Sequence, residues 1–285
     1  MKIAEIFRQK KPISFEIFPP KGELSTESFH QTLSALSTLS PDYISVTCSA
    51  GGSGGRERTA ELAGIIRKQY GIESCAHLTC VNSDAQMLRE DVQRLHENGI
   101  ENVLALRGDV IPGASAHVFR YASQLIGNLR GEGFCLGGAC YPECHPECAH
   151  MEDDIGYLRE KVEAGLDFVT TQMFFDNNIF YRYLSKLRDR GVTVPVIAGI
   201  MPVTNGRQIA RICKISGTYL PSRFKAIVDR YGDRPDAMLD AGVAYATEQI
   251  IDLFANGICA VHVYTMNKPE VAERIMSNLR GILGV

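Results

Sequence analysis

The sequence predicts a single α/β domain, a (β/α)8 TIM barrel that spans residues 1–285. Short runs of apolar and β-branched residues alternate with amphipathic stretches of helical period along the chain. Because the short runs are almost continuously apolar, they are typical of parallel strands that helices cover on the outside. Eight such units in fewer than 300 residues match the size of this barrel.

The predicted elements alternate in order along the chain. Strands are predicted at 13–18, 43–47, 74–80, 102–107, 134–140, 167–172, 194–200 and 258–264. Helices are predicted at 26–38, 57–70, 84–98, 117–131, 152–164, 178–190, 205–215, 236–256 and 269–281, with an extra helix at 221–232. Glycines end several of these helices and short polar residues begin others, as caps require. These are Gly71, Gly99, Gly165 and Gly191 at the ends, and Asn82-Ser83-Asp84 and Thr204-Asn205 at the starts.

A doubly wound sheet is the alternative fold for such an alternating pattern. That fold normally carries a glycine-rich fingerprint after its first strand. Here the first predicted strand is followed by Pro19-Pro20. The barrel is therefore the favoured fold.

Composition excludes several classes of function. The net charge is −3 and no long basic run occurs, so neither nucleic acid nor an anionic membrane is an expected partner. The longest apolar stretches have the length of strands, which argues against a membrane span. The nine cysteines are an odd number, and residues 1–11 are charged and lack an apolar leader. We therefore expect a cytoplasmic protein with reduced thiols.

A carboxylate lies inside the first predicted strand, where Glu16 is flanked by bulky apolar residues. A buried acid is costly unless it is paired or its protonation changes. The strand and the two following prolines restrict the backbone, so the side chain has a defined direction. A carboxyl in apolar surroundings is a common proton donor, which makes Glu16 a candidate general acid. A strand-end acid that pairs with a lysine or arginine is the alternative.

Polar side chains lie at the ends of seven of the eight predicted strands. The carboxyl ends of barrel strands form the active-site face, so these side chains are expected to meet at one rim. Packing alone does not account for such a set. Its members are Glu16, Thr47, His77 with Thr79, Arg107-Gly108-Asp109, Tyr141, Thr171-Gln172 and Tyr264.

Three segments near the predicted strand ends suit a flat or phosphorylated ligand. Gly108 permits close approach of the backbone, while Arg107 could meet a phosphate and Asp109 a heterocycle edge. An internal Arg–Asp ion pair is the alternative.

The Gln172 amide suits a pterin-like or flavin-like edge, although it could equally be an incidental neighbour of core aromatics. Asp154 and Lys161 share a helix face that could meet a ribose and a phosphate, although capping alone explains the acids at 152–154.

Two further segments have less specific interpretations. Cys140, Cys144 and Cys148, with His145 and His150 nearby, could ligate zinc, although their spacing is C-x3-C-x3-C and not that of paired C-x2-C clusters. The prolines between them could aim His145 at a ligand instead. The glycine-rich segment at 51–56 is either a mobile loop that closes over a ligand or a flexible connector.

Eight segments in order resemble the methylenetetrahydrofolate reductase family in its short bacterial form, over the catalytic domain. They are Ser14-Phe-Glu16-Ile-Phe-Pro-Pro20, Ser45-Val-Thr47, His77-Leu-Thr79-Cys80, Leu106-Arg-Gly-Asp109, Tyr141-Pro-Glu-Cys-His145-Pro-Glu147, Thr171-Gln-Met-Phe-Phe-Asp176, Gly199-Ile-Met-Pro202 with Asn205, and Tyr264-Thr-Met-Asn267.

The resemblance implies an oxidoreductase that binds FAD non-covalently and reduces 5,10-methylenetetrahydrofolate to 5-methyltetrahydrofolate. It implies a ping-pong reaction with NADH or NADPH, with NADH favoured, in the one-carbon metabolism that serves methionine biosynthesis. The folate and nicotinamide substrates would be its small-molecule partners, and the chain would form a homo-oligomer. Opening of the methylene bridge to an iminium ion needs a general acid, and this role carries over to Glu16.

The resemblance also implies a set of site residues. Glu16 and Asp109 would be catalytic, and Gln172, Gln208 and Lys268 would bind substrate. The cofactor contacts would be Thr47, His77, Arg107, Gly108, Asp109, Tyr121, Ala122, Ala139, Tyr141, His145, Asp154 and Lys161.

The chain departs from the family pattern at three places. Ile212 aligns with a position where relatives often place an aromatic residue, and the interval from Asp109 to Tyr121 is one residue longer than expected. The extra cysteines near His145 leave room for a metal or for a protein electron donor. The alternatives are a zinc-dependent barrel methyltransferase that uses Cys140, Cys144 and Cys148, and a folate-binding barrel without catalysis.

Overall fold

Eight parallel strands pair in sequence order and close into a barrel, which confirms the predicted fold class. The computed structural model describes residues 1–10, 12–20, 27–48, 54–81, 83–109, 119–258 and 260–284. The strands are β1 Ile13–Ile17, β2 Tyr43–Val46, β3 Glu73–Thr79, β4 Asn102–Leu106, β5 Cys135–Cys140, β6 Phe168–Thr171, β7 Val196–Ile200 and β8 Val261–Tyr264.

The helices surround this barrel and mostly follow the predicted pattern. They are α1 Ile3–Ile6, α2 Glu27–Thr38, α3 Gly54–Tyr70, α4 Ala85–Glu97, α5 Ala122–Leu129, α6 Met151–Ala164, α7 Asn177–Asp189, α8 Gly206–Ser216, α9 Ser222–Tyr231, α10 Pro235–Ala255 and α11 Pro269–Leu283. The sequence pattern did not predict α1, because four residues are too few to show a helical period. Only the helical end of the glycine-rich segment at 51–56 lies within the described residues.

The helix predicted at 117–131 is shorter in the structure and begins at Ala122. The Gln124 side chain accepts hydrogen bonds from the backbone N–H groups of Arg120 and Tyr121, at 2.7 and 3.1 Å. This side chain thereby caps the helix and fixes its first turn. Residues 110–118 lie outside the described part of the chain.

The predicted helix caps are present at several positions. The Asp84 carboxylate accepts from two backbone N–H groups at the start of α4, and the Asn205 amide oxygen accepts from one at the start of α8. Glycines with positive φ follow several helices, where a residue with a Cβ would be strained. Among them are the four predicted caps Gly71, Gly99, Gly165 and Gly191, with φ of 67°, 73°, 132° and 77°.

The lower half of the barrel interior is apolar and closed. One inward-facing layer packs there with Ile3 and Ile6 of α1, which cover the amino-terminal end of the barrel. Gly137 makes room for Phe168 of this layer, since a Cβ at that position would lie 2.4 Å from the Phe168 ring. The layer consists of Tyr43, Cys75, Leu104, Cys135, Phe168 and Ile197.

The larger core lies between the barrel wall and the helices. Ile13, Phe15 and Ile17 of β1 belong to this outer core. Because neighbouring side chains of a strand point to opposite faces, Ser14 and Glu16 point into the barrel. The strand register thus sets which residues can reach the site.

A third apolar cluster lies at the carboxyl-terminal rim. It joins Met173 and Phe175, which follow β6, and Val203, which follows β7, to Ile209 of α8 and Phe224 of α9. Helices α8 and α9, two of the three between β7 and β8, are therefore packed onto the carboxyl-terminal face of the barrel. None of the helices in the described residues has the length and apolar character to cross a membrane.

Candidate active site

The upper half of the barrel interior is polar and centres on a buried histidine of β8. His262 Nδ1 lies 2.7 Å from Ser14 Oγ, and its Nε2 lies 3.1 Å from Ser45 Oγ. The ring also stacks on Tyr43 of the apolar layer below, with centroids 5.9 Å apart. These contacts from β1 and β2 fix the imidazole in position and orientation.

Glu16 points into this polar layer. Its Oε2 lies 3.7 Å from His77 Nε2 and 3.8 Å from His262 Nε2, and the side chain is 12% exposed. The expectation of apolar surroundings was therefore wrong. The apolar neighbours Phe15 and Ile17 face the outer core, while the carboxylate faces two histidines.

His77 is buried on β3, directly beside Glu16. Burial lowers its pKa to about 4, although the nearby Glu16 carboxylate opposes this effect. The imidazole is therefore neutral near neutral pH, and its contact with Glu16 is not an ion pair there. Within the described part of the chain, Nε2 of His77 has no hydrogen-bond partner. This buried imidazole nitrogen therefore has an unmet hydrogen bond beside the Glu16 carboxylate.

The strand end that carries Glu16 is held by the loop after β8. Thr265 Oγ1 donates to the Glu16 carbonyl at 2.6 Å. The Asn267 amide donates to the Phe18 carbonyl at 2.9 Å, and its oxygen accepts from the Phe18 N–H at 2.8 Å. Met266 and Asn267 have φ of 54° and 57°, a left-handed conformation that is uncommon for residues other than glycine. The loop is therefore strained where it fixes the acid.

Tyr264 and Thr171, two of the predicted strand-end residues, contribute to the barrel itself. The Tyr264 hydroxyl donates to the Thr171 carbonyl at 2.6 Å, and Thr171 Oγ1 accepts from the Gly199 N–H at 2.9 Å. The Tyr264 ring meets His262 edge-on, with centroids 5.4 Å apart. Tyr264 therefore forms part of the wall beside the polar layer.

A cavity of about 1020 Å³ opens next to this layer, at the carboxyl ends of the strands from β2 to β5. Ten of the predicted cofactor contacts line it, whereas Thr47 and His77 do not. Their near neighbours Cys48 and Thr79 line it instead. The ten are Arg107, Gly108, Asp109, Tyr121, Ala122, Ala139, Tyr141, His145, Asp154 and Lys161.

Gly108 lies in the cavity wall at a position with no room for a side chain. Its φ is 83°, and a Cβ there would lie 2.9 Å from Thr79 Cβ and 3.0 Å from Val81 Cγ1. Both the conformation and the space therefore require glycine. The backbone of this segment can approach a ligand closely.

The Arg107 guanidinium forms a two-pronged ion pair with Glu147 across the cavity mouth. Nη1 lies 2.5 Å from Oε2 and Nη2 lies 2.8 Å from Oε1. The hydrogen bonds raise the pKa of Arg107 and lower the pKa of Glu147. The internal ion pair considered for Arg107 thus forms, but its partner is Glu147 and not Asp109.

Lys161 and Asp154 lie on the same face of α6, as the spacing predicts. Lys161 Nζ donates to the Ala139 carbonyl at 2.7 Å. Burial lowers the pKa of Lys161 and raises the pKa of Asp154, although the attraction between the two charges opposes both shifts. Burial therefore outweighs the mutual attraction for both groups, as is common for partly desolvated pairs.

His145 contributes a directed donor to the cavity wall. Its Nδ1 accepts from the Glu147 N–H at 3.1 Å, so the proton of the neutral ring is assigned to Nε2. Burial, with Arg107 nearby, lowers the pKa of His145 and favours this neutral form. The Tyr141 ring meets the imidazole edge-on at 4.7 Å.

The three cysteines near His145 do not converge on a metal site. Cys140 belongs to the outer core, where burial raises the pKa of its thiol to about 12. Cys144 Sγ lies 3.5 Å from the Cys148 carbonyl oxygen, and Cys148 Sγ lies 3.3 Å from the His150 carbonyl oxygen. Nowhere in the described ranges do three or more His, Cys, Asp or Glu side chains form a metal-binding group.

The predicted substrate residues lie outside the cavity wall. The Gln172 side chain accepts from the Met173 N–H at 2.9 Å, and Lys268 Nζ donates to Thr204 Oγ1 at 2.8 Å. Gln208 is exposed on α8, and Ile212 is half-buried in the third apolar cluster. Their predicted roles remain predictions.

Sequence reasoning missed the two serines and the histidine that organise the polar layer. Ser14 and Ser45 lie in segments that were singled out, but no role was assigned to them. His262 lies two residues before Tyr264, so strand alternation places both on the same face. That alternation was the available signal.

A closed barrel whose upper interior holds a carboxylate and two buried histidines beside a large cavity has the features of a barrel enzyme with acid–base groups at its carboxyl-terminal face. The family model described as methylenetetrahydrofolate reductase matches residues 2–280. The chain belongs to this family.

Curated relatives from plants and bacteria agree with the family assignment. "Methylenetetrahydrofolate reductase (NADH) 1" of Arabidopsis thaliana is 32% identical over 98% of this chain and 50% of its own length. "5,10-methylenetetrahydrofolate reductase" of Escherichia coli (strain K12) is 32% identical over 94% of this chain and 90% of its own length. The chain thus spans about half the length of its plant relatives and most of the bacterial one.

Solved structures agree with the fold. A Clostridium thermocellum protein, described as uncharacterized and as binding two copies of 5-methyl-5,6,7,8-tetrahydrofolic acid, superimposes with a TM-score of 0.67. The match covers 98% of this chain and 97% of that protein at 15% identity, so it supports the barrel alone.

Proposed function

We propose that this chain reduces 5,10-methylenetetrahydrofolate to 5-methyltetrahydrofolate, with NADH as the hydride donor and non-covalent FAD as the carrier. The observation that carries this proposal is the Glu16 carboxylate, which faces two buried histidines beside a large cavity. Membership of the reductase family supports the reaction, and relatives named for NADH favour that donor.

The cavity fits a large dinucleotide such as FAD in size and chemistry. Arg107 and Lys161 supply positive charge, Gly108 permits close backbone approach, and His145 offers its Nε2 proton. Because Glu147 already binds Arg107, a pyrophosphate at this position would share or displace that carboxylate. Bound FAD would supply the hydride chemistry, while the protein supplies orientation and charge.

Glu16 acts in this proposal as the general acid for the folate. The methylene bridge must open to an iminium ion before it accepts hydride, and the amine that leaves the bridge needs a proton. Glu16 would hold that proton at its carboxyl group, next to the neutral His77. The Thr265 and Asn267 contacts fix the direction in which the group points.

The other predicted residues take supporting roles. Asp109, at the cavity wall, would tune the flavin and orient the pterin, and Gln172 would contact the pterin or nicotinamide. Lys268 would meet the glutamate tail of the folate, with Gln208 nearby on α8. The two substrates would bind in turn, in a ping-pong sequence. A cytoplasmic location and a homo-oligomeric state complete the proposal.

The visible spectrum of the purified protein tests this function. Under anaerobic conditions, we expect the bands of an oxidised flavin, their loss on adding NADH, and their return on adding 5,10-methylenetetrahydrofolate. A flavin that NADH leaves oxidised would instead indicate NADPH or a protein donor. A protein that binds folate but takes up no FAD would contradict the proposal and favour a non-catalytic folate-binding barrel.

A further inference from the structure

We propose that Cys144 and Cys148 form a redox-active dithiol whose oxidation to a disulfide slows exchange of the cofactor from the large cavity. The effect on exchange rests on the proposed FAD-dependent function, whereas formation of the disulfide does not. The pair lies in the segment between β5 and α6, which also carries Tyr141, His145 and Glu147 of the cavity wall.

The backbone of this segment brings the two thiols together. Two consecutive turns are closed by hydrogen bonds from the Cys144 N–H to the Tyr141 carbonyl at 3.1 Å and from the Cys148 N–H to the His145 carbonyl at 2.8 Å. Cys144 has a left-handed φ of 73°. Its Sγ lies 3.5 Å from the Cys148 carbonyl oxygen and within hydrogen-bonding reach of the Cys148 thiol. A disulfide between them would close a ring that includes only three intervening residues.

The two thiols are more accessible than the cysteines buried in the barrel. Cys144 and Cys148 are both half-buried, and Cys148 lines the cavity. Cys75 and Cys135 lie in the sealed lower layer of the barrel, and Cys140 is buried in the outer core. A small oxidant in the cavity therefore reaches Cys148 without any unfolding of the barrel.

Hydrogen peroxide can supply the oxidising equivalents. The Cys148 thiolate attacks one peroxide oxygen, which gives a sulfenic acid and releases the other oxygen as water. The sulfur of Cys144 then attacks the Cys148 sulfur, which forms the disulfide and expels a second water. Burial raises the pKa of Cys144 to about 11, so its thiol gives up its proton as it attacks, and this second step is slower than for a free thiolate. Overall, two thiols lose two hydrogen atoms and one peroxide becomes two waters.

The disulfide would restrain groups that face the cofactor. Three residues lie between the two cysteines, and two of them, His145 and Glu147, line the cavity. Glu147 also holds the Arg107 guanidinium. A crosslink around this segment would reduce its ability to open, and a ligand enclosed by it would leave more slowly.

The test uses the full-length, FAD-loaded protein and hydrogen peroxide as the oxidant. Peptide mass mapping without reductant should find Cys144 linked to Cys148. FAD release after dilution, followed by flavin fluorescence, should slow on the order of threefold, because crosslinking makes local opening less favourable. Dithiothreitol should restore the original rate.

Three variants complete the design. Cys144→Ser and Cys148→Ser should remove both the link and the change in release rate, whereas Cys213→Ser, which alters a half-buried cysteine of α8, should retain both. A fully oxidised protein without the 144–148 link would overturn the proposal, as would a link that leaves FAD release unchanged. If a serine variant fails to fold, iodoacetamide labelling of the oxidised wild-type chain tests whether the disulfide forms. Loss of labelling at both Cys144 and Cys148 would support it, and retained labelling would overturn it. If no FAD binds at all, the proposed function fails, while the peptide map still tests the dithiol.

Discussion

Asn267 and Phe18 exchange two hydrogen bonds across the rim of the barrel. The Asn267 side chain both accepts from and donates to the Phe18 backbone, at 2.8 and 2.9 Å. Phe18 lies two residues after Glu16, so this contact fixes the end of the strand that carries the proposed acid. The left-handed φ of Asn267 shows that the loop adopts a costly conformation to make it.

Asn267→Gly tests this positioning role, because glycine tolerates the backbone conformation and removes only the side-chain contacts. We expect folate reduction to slow roughly tenfold, since small misplacements of a catalytic group are costly. Flavin reduction by NADH should be unchanged. Rapid-reaction measurement of the two half-reactions separates the effects.

Met266→Gly is the matched control for this experiment. Met266 has almost the same φ, at 54°, and its side chain is 41% exposed. This variant should react like the parent in both half-reactions. An equal loss in both variants would show that the loop backbone matters and the Asn267 side chain does not.

His77 should make the stability of the protein depend on pH. Burial lowers its pKa from 6.5 to about 4, so between these values the unfolded chain binds a proton that the folded chain does not. His77 therefore leaves the free energy of unfolding unchanged above about pH 6.5 and decreases it as the pH falls towards 4. From pH 7.5 to pH 4.5 this single group should remove about 2–3 kcal/mol of the free energy of unfolding.

Denaturant unfolding of the parent and of His77→Asn at both pH values measures this contribution. Other groups titrate in both proteins, so the difference between the two pH dependences isolates His77. The variant should lose less stability on acidification than the parent. An equal loss of the free energy of unfolding in both proteins would mean that His77 is not buried in its neutral form.

Gly108→Ala should weaken both folding and cofactor binding. The added methyl group meets Thr79 Cβ at 2.9 Å, and a φ of 83° costs a residue with a side chain about 1–2 kcal/mol. Thermal unfolding and FAD titration measure the two effects. Gly127→Ala in α5 is the control, because its Cβ would meet no atom within 4 Å and alanine favours the helix. Similar losses in both variants would argue against a special role of Gly108.

The barrel could be predicted from the sequence because each strand–helix unit carries its own signal. Strand β1, for example, is a short apolar run that ends at Pro19-Pro20, and α4 begins at the capping residue Asp84. The cavity residues were also predictable, since barrel strand ends share one rim. Arg107 and Tyr141 meet there although they follow different strands.

The polar layer could not be predicted in the same way, because it depends on which strands become neighbours and in what register. The pairing of Ser14 with His262 joins residues from the two ends of the chain. Local pattern also misjudged Glu16, whose apolar sequence neighbours face the other side of the strand. Similarly, the spacing of Cys140 and Cys148 did not reveal that one lies in the outer core and the other at the cavity.

Glu16→Gln gives the most direct test of the central claim, because the substitution keeps the size of the side chain and removes its acidic proton. In anaerobic rapid-reaction measurements, NADH should reduce the bound flavin of the variant at the parental rate. Reoxidation by 5,10-methylenetetrahydrofolate should be slower by roughly 10²–10⁴, the usual contribution of a general acid. Parental rates in both half-reactions would contradict the assignment of Glu16 as the proton donor.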